Sequence, residues 1–88
     1  MTAKLVHYSG NVQGVGFRAT ASMIARRHPV TGWVRNLPDG RVEAVLEGPR
    51  QAVESMLEWM RVGPRGAAVS SVDVSWEDPE RELGFRVR

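Results

Sequence analysis

Gly14, Gly16 and Arg18 stand at alternate positions in the run Gly10-Asn11-Val12-Gln13-Gly14-Val15-Gly16-Phe17-Arg18, a spacing that suits an anion. Glycines let the backbone turn its N–H groups inward, and a helix pattern that starts beside them adds the positive end of a dipole. Arg18 adds a permanent charge and a planar fork of donors that matches phosphate. A cation at a helix start is otherwise poorly placed, because the dipole disfavours it there, and a bound anion explains the placement. The stretch reads as a small phosphate-binding site.

Two nucleotide motifs come close and fail. Gly14-Val15-Gly16-Phe17-Arg18-Ala19 satisfies G-x-G-x-x-A, but 88 residues are too few for a doubly wound domain and no acid ends the second strand. A Walker loop needs Gly-Lys-Ser/Thr where Phe17-Arg18 stands.

Composition narrows the chemistry further. There is no cysteine, which excludes disulfides, thiolate metal sites and a cysteine nucleophile. His7 stands alone on a strand and reads as a sheet-face residue, since metal sites need several ligands. The formal charge of +2 comes from arginines interspersed with acids, and only Arg26-Arg27 are adjacent; this is a mixed surface rather than a nucleic-acid stripe. No apolar run approaches membrane-spanning length, and the N-terminus Met1-Thr2-Ala3-Lys4 carries no apolar leader core. The expectation is a cytoplasmic monomer with no nucleic-acid or membrane partner.

What remains can position a phosphoryl group and orient a water, with no strong base at hand. Phosphoryl transfer depends mostly on positioning and electrostatics. A mixed carboxylic–phosphoric anhydride needs little more, because its leaving carboxylate has a pKa of roughly 4 and departs without a proton.

The elements that must hold these groups follow from periodicity. Leu5–Ser9 reads as a strand ended by Gly10. Phe17, Ala21 and Ile24 define a helix stripe that Pro29 stops. Val30–Asn36 and Arg41–Glu47 are strands flanking Leu37-Pro38-Asp39-Gly40, where proline presets φ, Asp bonds back to the backbone and Gly turns the chain, giving a hairpin. Val53, Met56, Leu57 and Met60 mark a second helix over Arg50–Val62. Val72, Val74 and Trp76 alternate with polar residues as a half-buried fourth strand, and Gly84–Arg88 closes the chain as a short extra strand.

The order predicts one α+β domain over residues 1–88: a ferredoxin-like sandwich, βαββαβ with a short extra C-terminal strand, its antiparallel sheet carrying both helices on one face. A right-handed crossover makes the first two strands parallel with another strand between them. Their C-terminal ends then share one edge, so Gly10–Arg18 and Asn36 converge. On local grounds Asn36 has two readings, a member of that site or a turn initiator before Pro38-Asp39-Gly40.

Ser9–Arg18 followed by Thr31-Gly32-Trp33-Val34-Arg35-Asn36-Leu37-Pro38-Asp39-Gly40-Arg41-Val42-Glu43 strongly resembles the acylphosphatase family, and Gly48, Glu58-Trp59 and Gly84-Phe85 extend the match along nearly the whole chain. The resemblance implies hydrolysis of acyl phosphates to a carboxylate and phosphate, without metal, cofactor or covalent intermediate. It places the catalytic arginine on Arg18, the water-orienting asparagine on Asn36, and the phosphate cradle on Gln13, Gly14, Val15, Gly16, Phe17 and Arg18. Departures fall at Asn11, usually basic, at Ala19 and Thr20, at His28-Pro29 and at Leu37. None touches the two catalytic positions. A non-catalytic module that binds acyl or carbamoyl phosphate is the alternative. An RNA-binding domain of the same fold ranks last, because Arg41–Glu47 lacks the aromatic platform that stacks bases.

Overall fold

A computed structural model describes residues 1–88. The elements run β1 (Thr2–Asn11), α1 (Phe17–Arg27), β2 (Thr31–Asn36), β3 (Val42–Gly48), α2 (Arg50–Val62), β4 (Ala68–Trp76) and β5 (Phe85–Val87). One five-stranded sheet has the order β4-β1-β3-β2-β5. β3 therefore lies between β1 and β2, as the crossover rule requires. The first four strands pair antiparallel, and β5 adds to β2 in parallel, which makes the sheet mixed at one edge. The sequence reading gave the extra strand but not its direction. The connection after β4 must cross the width of the sheet to reach β2, and it arrives running the same way.

Alternation decides the faces. Val6 and Tyr8 of β1, Val42, Ala44 and Leu46 of β3, and Val34 of β2 point to one side, where they join Phe17, Ala21, Ile24 and Ala25 of α1 and Val53, Met56, Leu57 and Met60 of α2 in one core. Both predicted helix stripes are buried as expected. Trp59, off the stripe, is exposed.

The fourth strand departs from expectation. Val72 is half-buried, but Val74 and Trp76 are exposed, the tryptophan at 75%. β4 is an edge strand, and Trp76 lies opposite Lys4, whose ammonium sits 4.3 Å from the ring centroid. A cation on its face replaces the core contact that the alternation implied.

Glu47 is the one buried charged residue. It follows Leu46, so it points to the face without helices, where it accepts the backbone N–H groups of Glu80 and Glu82. These bonds pin the β4–β5 connection across the end of β3 and so deliver β5 to the β2 edge.

Candidate active site

The N-terminus of α1 is built without a side-chain cap. Gly16 occupies the N-cap with φ 79°, no capping hydrogen bond is present, and the first turn holds no acid. The leading N–H groups of a helix have no intrahelical partner, so this end presents donors and the positive end of the dipole together. Gly14 and Gly16 take φ 75° and 79°, the left-handed region, and a Cβ on either would meet no atom within 4 Å. Their need for glycine is conformational, and the space above them is open. Upstream, the β1–β4 register slips between Ser9 and Gly10, a bulge that bends the strand end from which the loop departs.

Asn36 ends β2, opposite Val42 in the last pair of the β2–β3 ladder. The parity that sends Val34 and Val42 to the helix side sends Asn36 there too. The turn beyond it has the expected chemistry: Asp39 Oδ1 accepts the Arg41 N–H at 3.1 Å, the Leu37 N–H donates to the Arg41 carbonyl at 2.8 Å, and Gly40 has φ 95°.

These two segments meet in a cleft of about 250 Å³ lined by Val12, Gly14, Gly16, Phe17, Arg18, Ala19, Asn36 and Val87. Arg18 and Asn36 thus share one space. No Asp, Glu or His lines it. The Arg18 guanidinium has no Asp or Glu side chain within ion-pair distance, and its Nη1 donates to the Arg88 backbone oxygen at 3.3 Å. Asn36 Oδ1 is buried with no hydrogen-bond partner in the protein. An unpartnered buried acceptor carries a desolvation cost.

Of the stretch Gln13–Arg18, then, Gly14, Gly16, Phe17 and Arg18 reach the cleft. Val15 packs against the core instead, and the Gln13 side chain turns away toward the β2–β3 turn. Val87 and the Arg88 backbone oxygen are additions that sequence reasoning missed. Their approach depends on the parallel pairing of Val34 with Val87, for which the short C-terminal run carries no local signal.

On the opposite face, Glu43 accepts from His7 Nε2 at 2.8 Å and from Arg35 Nε at 2.7 Å. Burial pushes the Glu43 carboxyl up, but these hydrogen bonds and the neighbouring charges outweigh it and hold the group below the ordinary glutamate range. The cluster faces away from the cleft, so it acts on the β1–β3–β2 sheet and not on the reacting groups. No group of three or more His, Cys, Asp or Glu side chains is arranged to hold a metal ion.

A five-stranded sheet with two helices on one face, and an uncapped helix end and a carboxamide in one cleft, define a class, the small ferredoxin-like α+β domains. Similarity to known proteins narrows it. A family model described as acylphosphatase matches residues 4–87. An acylphosphatase of Roseiflexus sp. is 57% identical over 83 residues, covering 93% of this chain and 89% of its own length. That of Natronomonas pharaonis is 55% identical over 83 residues, covering 94% and 90%. The crystal structure of acylphosphatase from Bacillus subtilis matches with a TM-score of 0.97 at 35% identity, covering 100% of this chain and 99% of that one. The chain belongs to the acylphosphatase family. No helix in it is long and apolar enough to cross a membrane.

Proposed function

We propose that this chain hydrolyses the carboxyl–phosphate bond of acyl phosphates, with Arg18 holding the phosphoryl group and Asn36 orienting the water. The observation that carries this reading is the shared cleft, which Arg18 and Asn36 line together and in which no Asp, Glu or His side chain stands.

The guanidinium and the backbone N–H groups at the α1 N-terminus take the phosphoryl oxygens and the charge that spreads over them in the transition state. The Asn36 carboxamide hydrogen-bonds a water and fixes it against phosphorus. As the water oxygen bonds to phosphorus, the bond from phosphorus to the carboxylate oxygen breaks and the carboxylate leaves with the electron pair. The leaving group needs no proton, since carboxylates titrate at roughly pH 4. The water's proton passes to a phosphoryl oxygen of the substrate, because no Asp, Glu or His side chain lines the cleft.

Both residues come from one chain, so the site works in a monomer, and light scattering on the purified protein tests that state. The accessory-module alternative is not favoured, since the relatives named acylphosphatase match over nearly their whole lengths. The direct test is hydrolysis of benzoyl phosphate by the purified protein in the presence of EDTA. Steady release of benzoate and phosphate is expected. Binding without turnover would restore the accessory module, and loss of activity on chelation would contradict the metal-free scheme.

A further inference from the structure

The phosphate cradle and Asn36 lie on separate segments, and a displacement of ~1 Å between reacting groups can cost ~10²-fold in rate. Something must fix one segment against the other. The Gln13 side chain spans that gap. Its Nε2 donates to the Leu37 carbonyl at 2.8 Å and to the Arg41 carbonyl at 2.9 Å, so both amide hydrogens are used on the two ends of the β2–β3 turn. The Arg41 carbonyl also accepts the Leu37 N–H at 2.8 Å. Leu37, the residue directly after Asn36, is therefore gripped at both its N–H and its C=O, and one of those grips comes from the cradle.

We propose that Gln13 is a positioning residue: its side-chain amide ties the cradle to the strand end that presents Asn36, and that side chain acts on turnover through Asn36 and makes no contact of its own with phosphate. The inference rests on the reading of Asn36 as the water-orienting group. It gives the Gln13 side chain a task of its own, beside the backbone N–H contact with phosphate that the family motif implied. The side chain is committed elsewhere and is absent from the cleft lining. The position calls for a primary amide of this length. A glutamate there would set acceptors against two carbonyls, and an aliphatic residue would leave both part-buried carbonyls without this donor.

The test is a double-mutant cycle on benzoyl phosphate hydrolysis with Gln13→Met and Asn36→Ala, with inhibition by inorganic phosphate measured for each variant. Gln13→Met should lower kcat by roughly 10- to 100-fold while KM and the phosphate inhibition constant stay near wild type. In the Asn36→Ala background the same change should cost almost nothing further. A phosphate inhibition constant that rises with Gln13→Met would overturn the proposal, as would an undiminished loss of kcat in the Asn36→Ala background. Should Gln13→Met fold poorly, Gln13→Asn keeps both donors one methylene back. A fall in kcat at constant phosphate inhibition then supports the proposal, and weakened phosphate inhibition overturns it. Full activity in Asn36→Ala alone would be a different failure, that of the water-orienting assignment itself.

Discussion

Arg18 and Asn36 line one cleft although one sits in the first turn of α1 and the other ends β2. The juxtaposition follows from topology. β1 and β2 run parallel on either side of β3, so the loop that leaves β1 and the last residue of β2 must share an edge. Neither residue is paired with an Asp or Glu side chain, and none of these, nor a histidine, lines the cleft. The site is equipped to bind and orient, and the substrate's own leaving group does the rest.

Gly16 bears on the cradle directly. At φ 79° an added Cβ meets no neighbour, so Gly16→Ala brings conformational strain without a clash, of about 1–2 kcal/mol. The variant should melt lower, by roughly 4–8 °C per kcal/mol for a domain of this size. It should also be inhibited less by inorganic phosphate, because relief of the strain turns the helix-end N–H groups off the anion. Thermal melts with and without phosphate check both outcomes.

The depressed Glu43 carboxyl gives the fold an acid-sensitive component. Its side chain is 13% exposed and bonded to His7 and Arg35. Because the folded value lies below the unfolded one, near ~4.3, the unfolded chain binds more protons between the two. The stabilisation is complete above the unfolded value and is lost as pH falls through the folded value. Glu43→Gln should be less stable at neutral pH and lose less on acidification. Denaturant melts across that range read the slope, and parallel curves for the two proteins would contradict the assignment.

Tyr8 offers a gain in stability. Its ring packs on Phe17 at 4.9 Å between centroids, while its hydroxyl is buried with no partner. Burial alone pushes its ionisation well above the ordinary tyrosine value, against a smaller opposing pull from Arg61. Tyr8→Phe keeps the ring contact and removes the orphaned hydroxyl, so it should stabilise the domain by about 1 kcal/mol. A lower melting temperature would mean the hydroxyl is satisfied by water.

Much of this architecture was legible in the sequence because the signals were local. The Val53, Met56, Leu57, Met60 stripe and the Pro38-Asp39-Gly40 turn each state their structure within a few residues. Topology then brought Asn36 to the cradle. What stayed hidden was non-local. Nothing near Glu47 announces that the N–H groups of Glu80 and Glu82 will cover it. The alternation around Val74 and Trp76 resembles a half-buried strand, and only its place at the sheet edge exposes it. Gln13 lies within the family motif, yet its contacts with Leu37 and Arg41 need the folded hairpin.

The central claim divides the labour between two residues, and one comparison tests it most directly: kcat on benzoyl phosphate and the inhibition constant for inorganic phosphate, for Arg18→Ala and Asn36→Ala beside the native protein. Removing one transition-state donor costs roughly 10²–10³-fold in rate, and both variants should lose at least that in kcat. Arg18→Ala should also lose phosphate inhibition, whereas Asn36→Ala should keep it. Substantial turnover in either variant, or phosphate inhibition that survives Arg18→Ala unchanged, would contradict the account.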